Sequence, residues 1–233
     1  MTRPEKPLLG ILILDTRFPR IPGDVGNPQT WAFPVRYATV SGATPEAIVC
    51  NDMEPFVQAF IAQGRKLVAR GCTGIATTCG FLTLMRPRLR QALGVPVAAS
   101  ALEQGRQVAD MLPPGSRVGV LTISANTLGM AHLAAAGLQD NTPLQGMEGS
   151  AFARSILGNE ITLDVEEARH EMVAAGKELI RNNGDVGAII LECTNMAPYA
   201  RDIARATGRP VYSIHTYLTW FHAGLVPAEF DPR

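Results

Sequence analysis

The chain carries no surplus of charge. Lysine plus arginine equals aspartate plus glutamate at 21 each among 233 residues, so the formal net charge is zero. A nucleic-acid partner would require a basic excess, and none is present. Long hydrophobic runs are missing as well. The apolar stretch nearest the N-terminus, Leu8–Leu14, has seven residues and stops at Asp15. A membrane helix needs about 20, and no small-residue cleavage site of a secretory leader follows. Four cysteines (Cys50, Cys72, Cys79 and Cys193) are too few for a disulfide scaffold, and no pair is spaced Cys-x-x-Cys. The four histidines are scattered, which argues against a metal site. Neither glycine-rich phosphate fingerprint, G-x-G-x-x-G or G-x-x-x-x-G-K-[ST], occurs. These absences predict a cytoplasmic protein that binds a small molecule, with no membrane, nucleic acid, metal or other cofactor.

What is present suits a packed α/β protein. Apolar residues make up 46% of the chain, enough to bury a sizeable core and to exclude disorder. Strands are expected at Leu8–Leu14, Val35–Val40, Thr73–Thr77, Val95–Ala99, Val118–Ile123, Val186–Leu191 and Val211–Ile214. Several are apolar throughout, as in parallel sheets covered on both faces. Helical patterns lie between them, at Pro55–Arg70, Leu89–Leu93, Ala101–Met111, Asn126–Ala136, Val165–Asn182 and Ala197–Ala206. Asp164 is a natural N-cap for the helix at 165–182, and Asn183-Gly184 a natural stop. Pro87 predicts a helix break or restart near Arg86.

An internal repeat organises these elements. Cys79 and Pro96 are seventeen positions apart, and so are Cys193 and Pro210. A glycine-bearing apolar strand runs into each cysteine, Thr73-Gly74-Ile75-Ala76-Thr77 in one copy and Val186-Gly187-Ala188-Ile189-Ile190 in the other. The leading strands also match, Leu9-Gly10-Ile11-Leu12-Ile13 beside Val118-Gly119-Val120-Leu121-Thr122. Three matches in one order predict two pseudo-symmetric parallel-sheet α/β lobes with the active-site cleft between them. The first lobe is expected to comprise residues 1–99 with 212–233, and the second residues 100–211. The stretch Ser213–Gly224 is expected to return to the first lobe.

Open α/β sheets bind ligands beyond the carboxyl ends of their strands, and both cysteines fall there. Each leads a strand-to-helix turn, whose N–H groups attract anions and favour a thiolate. Facing each other across a cleft, two thiols suit the inversion of an acidic carbon, which needs a base on one face and an acid on the other. Backbone N–H groups and hydroxyls at Thr78, Gly80, Thr194 and Asn195 are expected to hold the substrate carboxylate. A duplicated scaffold without chemistry at the cysteines is the alternative.

The chain resembles the cofactor-independent aspartate/glutamate/hydantoin racemase superfamily, which also resembles arylmalonate decarboxylases and maleate cis–trans isomerases. The resemblance covers nearly the whole chain and rests on Cys79, Cys193-Thr194 and the strand end Leu14-Asp15-Thr16. It implies that Cys79 and Cys193 are the two acid/base residues, that Asp15 orients Cys79 or contacts substrate, and that Thr16 lines the cleft. Glutamate racemases of the family carry Cys-Asn-Thr at the first site, where this chain has Cys79-Gly80-Phe81. They also carry histidine two residues after the second cysteine, where this chain has Asn195. The loop from Asp15 to Asn27 marks a distinct subgroup.

Other residues carry two readings each. Arg17 and Arg20 either clamp a carboxylate and close over the cleft or are solvated loop residues. Ser124 either donates to a carboxylate or caps a helix. His215, after the last strand, either hydrogen-bonds substrate or a thiol, or is structural. Cys50 and Cys72 are expected to pack, and His132, His170 and His222 to face solvent or pack neutrally. An apolar stripe at Phe56–Val68 is compatible with a homodimer. The function expected is racemisation of an amino acid or related small carboxylate by Cys79 and Cys193. An arylmalonate-type decarboxylase needs a single cysteine of the pair, so the presence of both argues against it. A maleate-type isomerase, a non-catalytic sensor and a thiol redox protein are the remaining alternatives.

Overall fold

The computed structural model describes residues 8–230. The described strands form two four-stranded parallel sheets. In the first, β1 (Leu8–Leu14), β2 (Val35–Val40), β3 (Cys72–Thr77) and β4 (Val97–Ala98) lie in the order β2-β1-β3-β4. In the second, β5 (Arg117–Leu121), β6 (Leu144–Gln145), β7 (Val186–Leu191) and β8 (Val211–Tyr212) repeat that order as β6-β5-β7-β8. The registers repeat too. Gly10 of β1 faces Ile75 of β3, and Gly119 of β5 faces Ile189 of β7, with a register shift one residue before each glycine.

Helices α1 (Pro45–Val49), α2 (Val57–Ala69) and α3 (Arg86–Leu93) belong to the first half of the chain, and α4 (Gly105–Met111) follows β4. The second half adds α5 (Met130–Ala136), α6 (Ala151–Leu157), α7 (Val165–Asn182), α8 (Ala200–Thr207) and α9 (Ile214–Leu225). No helix among the described residues is long and apolar enough to cross a membrane. Helix α7 begins where the sequence places it, because the Asp164 carboxylate accepts from the N–H groups of Glu166 and Glu167. Helix α3 starts at Arg86 with Pro87 in its first turn, where a missing N–H costs nothing.

Helix α2 turns Val57, Phe60, Ile61, Gly64 and Leu67 inward, against β1, β2 and β3. The apolar stripe that suggested a dimer contact is therefore used by the chain's own sheet. Two glycines admit the helical segments that connect the lobes. Helix α4 packs against β5 and β7, and α9 packs against β3 and β4. At Gly74 a Cβ would sit 2.6 Å from Leu225, and at the equivalent Gly187 it would sit 3.0 Å from Ser116 and 3.3 Å from Leu112. The glycine shared by the two sequence repeats thus marks where a crossing segment lies flat on a strand.

Three expectations need correction, and the short elements β6, α1 and α6 have no counterpart in the sequence reading. Strand β6 has two residues, too short to show a period of two, and α1 and α6 are similarly short. The strand expected at Val95–Ala99 shrinks to Val97–Ala98, since Pro96 has no N–H for the ladder. The one expected at Val211–Ile214 ends at Tyr212, because Ser213 instead caps α9 with a capping box to Thr216. Cys72 is buried, but Cys50 ends α1 and is exposed, so packing does not account for it. If the crossing geometry holds α9 in place, Gly74→Leu wedges it off β3 and costs about 1–3 kcal/mol. Urea unfolding measures this, and an unchanged midpoint would refute the role given to Gly74.

Candidate active site

Cys79 and Cys193 follow the carboxyl ends of β3 and β7 and lead the 3-10 turns Gly80–Met85 and Thr194–Tyr199. Both are free thiols, 7% and 8% exposed. The N–H groups of Phe81 and Leu82 favour the thiolate at Cys79, and that of Asn195 does so at Cys193. The two cysteines line one small cavity that is partly open to solvent. Its apolar wall is Leu14, Phe18, Pro45 and Val49 from the first lobe and Ile123, Ile156 and Leu157 from the second. Its polar wall is Thr16, Arg20, Thr78, Glu192 and Asn195.

The sequence-expected residues divide around this cavity. Thr16, Thr78, Gly80 and Asn195 line it with the cysteines. Asp15, Thr194, Ser124 and His215 do not, and each is engaged elsewhere. The Asp15 carboxylate accepts from the Gly42 N–H at 2.8 Å, which anchors the loop after β1. The Thr194 hydroxyl donates to the Thr78 carbonyl at 2.8 Å, fully buried between the lobes. Ser124 accepts from the Thr127 N–H at 3.3 Å, the local capping bond that competes with ligand binding. His215 enters α9, which turns its ring outward to stack on Trp31 at 5.5 Å. The two loop arginines part company. Arg17 donates from its backbone N–H to Asn159 Oδ1 at 2.6 Å and from Nε to the Asn159 carbonyl at 3.2 Å. Arg20 lines the cavity, donating to Asp24 at 2.8 Å and to the Thr16 hydroxyl at 2.9 Å. Asn159, at φ 51°, also donates to the Asp15 carbonyl at 3.0 Å. The loop after α6 thereby latches the loop after β1.

Two acids missing from the sequence reading complete the site. Asp24 is 3% exposed and sits in a Pro/Gly-rich turn, where nothing in the pattern distinguishes it. Its Oδ2 accepts from Asn195 Nδ2 at 2.6 Å, and Asn195 Oδ1 accepts from the Cys193 thiol at 3.5 Å. A chain Arg20–Asp24–Asn195–Cys193 therefore fixes the second thiol. Glu192 did carry a signal, as the lone charge between an apolar strand and Cys193. It holds the place that Thr78 holds in the first repeat. Thr78 Oγ1 accepts from the Leu14 N–H at 3.1 Å, and Glu192 Oε2 accepts from the Ile123 N–H at 3.5 Å and the Thr122 hydroxyl at 2.8 Å.

Burial raises the Glu192 carboxyl from 4.5 to about 7 against the pull of Thr122 and Ile123. Burial and then the Glu192 charge push both thiols upward. Three acids in one dry space cannot all ionise. A thiolate forms here when Glu192 is neutral or its charge is matched.

Two outcomes follow from this packing. A Cβ at Gly80 would overlap the Glu192 carboxylate and lie 2.6 Å from the Glu192 carbonyl oxygen. Gly80→Ala should cost about 1–3 kcal/mol in thermal or urea unfolding, and full native stability would refute the contact. Because the folded Glu192 keeps a proton that the unfolded chain has released, stability should fall as pH rises from 4.5 to about 7 and then level. The fall attributable to this group is on the order of 1–3 kcal/mol. Glu192→Gln should flatten that slope in urea titrations across the same range, and an unchanged slope would place the raised carboxyl elsewhere.

The family model described as Asp/Glu/Hydantoin racemase matches residues 100–221. The chain is 27% identical over 235 residues to a dimethylsulfoniopropionate lyase of Durusdinium sp. clade D, covering 94% of this chain and 75% of the lyase. Among solved structures it is similar to a single-substitution variant of arylmalonate decarboxylase in its sulfate-associated form, with TM-score 0.67, 16% identity and 97% of each chain covered. It is also similar to allantoin racemase from Pseudomonas fluorescens, with TM-score 0.64, 17% identity, and 94% and 90% of the two chains covered. At these identities the structural likeness concerns the fold alone.

Proposed function

Because the chain belongs to the Asp/Glu/hydantoin racemase family, we propose that it is a cofactor-independent acid–base enzyme that racemises a small carboxylate. One observation carries this reading: two free cysteines, at equivalent strand ends of a duplicated scaffold, line a single cavity. One cysteine acts as thiolate and takes the proton from the carbon beside the carboxylate. The other acts as thiol and delivers a proton to the opposite face. The first cysteine then holds a proton and the second is a thiolate, ready for the reverse stereochemical sense. Arg20 is the cavity-lining cation among the described residues, and it draws the substrate carboxylate inward. The Asn195–Asp24 chain keeps the Cys193 thiol aimed at the cavity.

A second reading shares the first step. Removal of a proton from a carbon next to one that bears a leaving group ends in elimination rather than reprotonation. The likeness to a dimethylsulfoniopropionate lyase over 94% of this chain favours it. There the carbanion would expel a thioether and leave an alkene beside the carboxylate, with the proton retained on one cysteine.

Proton NMR in deuterium oxide separates these outcomes. The pool would contain amino acids, hydantoins, small dicarboxylates, malonates and dimethylsulfoniopropionate. Washout of an α-proton signal, reduced about 10²- to 10⁴-fold by either Cys79→Ala or Cys193→Ala, is the expected result. Alkene signals that need one cysteine alone would establish elimination, and carbon dioxide from malonates a decarboxylase. Full washout in either cysteine variant would sink the two-base reading. Binding without turnover that survives loss of both cysteines would make the protein a sensor.

A further inference from the structure

The charges around the cavity do not balance. Arg20, the cation on its wall, is already paired with Asp24 at 2.8 Å. Glu192 is 1% exposed and lines the same cavity, yet no lysine, arginine or histidine among the described residues forms an ion pair with it. Its Oε2 is held by a hydroxyl and a backbone N–H, neither of which brings a positive charge. Its Oε1 lies over Gly80, in the volume a side chain would otherwise occupy. An unpaired carboxylate in a dry site is costly, and a second negative charge there opposes the thiolate that the reaction needs. A positive group on the ligand removes both costs. It also acidifies a neighbouring C–H bond.

Resting on the acid–base reading above, we infer that Glu192 is the binding site for a cationic group of the substrate, so that the substrate is a small zwitterionic carboxylate. Its positive group is an ammonium on the reacting carbon or an onium centre close to it. The remainder of the substrate is apolar. Seven aliphatic, proline or phenylalanine side chains form its apolar wall, and among the described residues no cation besides Arg20 lines it to hold a side-chain carboxylate. The acidic side chains of aspartate and glutamate therefore do not suit this cavity.

Matched pairs that differ only in charge test this. α-Aminobutyrate is compared with α-methylbutyrate, and dimethylsulfoniopropionate with its uncharged isostere isocaproate. Dissociation constants are measured calorimetrically on the native protein, on Glu192→Gln and on Glu192→Asp. In at least one pair the native protein should prefer the cationic member about ten- to a hundredfold. The preference should vanish in Glu192→Gln and persist in part in Glu192→Asp. Which pair responds tells an α-ammonium from a β-onium.

A readout on the native protein guards against misfolding of the variants. As pH falls from about 8 to about 5, Glu192 takes up a proton and the preference should shrink. Burial and then the Glu192 charge push the Cys79 and Cys193 thiols, which face Glu192, toward the protonated form, and Asp24 is paired with Arg20. Equal or tighter binding of the uncharged members, a preference unchanged in Glu192→Gln, or no binding of either cationic probe would overturn the inference. Deuterium washout is scored separately. Washout from uncharged carboxylates alone would keep the acid–base reading and reject this one. A Glu192-dependent preference without washout would do the reverse.

Discussion

A buried hydrogen bond beside the two cysteines ties together the halves on which this site depends. The Thr194 hydroxyl donates to the Thr78 carbonyl at 2.8 Å, and these residues adjoin Cys193 and Cys79. Each cysteine is set by its own strand and turn, but their meeting in one cavity requires the two strand ends to be held together. A buried polar contact does this with more directional specificity than apolar packing can, because an unpaired partner would be penalised. The Asn159 latch, far away in sequence, also ties the two lobes together. Helices α4 and α9 add to it by crossing between lobes over Gly187 and Gly74.

Duplication accounts for the scaffold, and departures from duplication account for the chemistry. The sheets repeat in order and register, so equal environments for the two thiols would be the default. They are not equal. Cys193 donates into a chain of Asn195, Asp24 and Arg20, whereas Cys79 faces the N–H groups of its own turn. Glu192 replaces Thr78 at the matching position and places a carboxyl close to both thiols. Its size is accommodated because the first repeat has Gly80 there. The electrostatics of the cavity thus arise from a glycine in one copy and an acid in the other.

Much of the fold was legible because its signals are local. Strands β1 and β7 begin and end where their apolar runs do, since both faces of a central parallel strand are covered. Helix α7 is bounded by its own cap. Two-residue strands and five- to seven-residue helices such as β6, α1 and α6 contain too few residues to show a period. Part of the site was legible for the same reason: Thr16, Thr78, Gly80 and Asn195 lie next to strand ends that the repeat identifies. Asp15, Thr194, Ser124 and His215 lie there too, but their side chains answer to neighbours that sequence spacing does not reveal. Asp24 reaches Arg20 and Asn195 through a fold of its own loop, closed by the Thr30 hydroxyl on the Asp24 carbonyl at 2.6 Å.

By itself, then, the order of residues determined the two-lobed parallel α/β plan and the equivalence of Cys79 and Cys193. Both follow from hydrophobic period and from a spacing repeated along the chain. Only the tertiary structure decided which polar groups meet the thiols. It set Arg20 on the cavity wall and Arg17 on the latch, gave Cys193 its Asn195–Asp24 support, and left Glu192 buried without a counter-charge. Those outcomes depend on distances between residues more than a hundred positions apart, such as Asp24 and Asn195, and burial changes a charge's energy only once the lobes have closed around it.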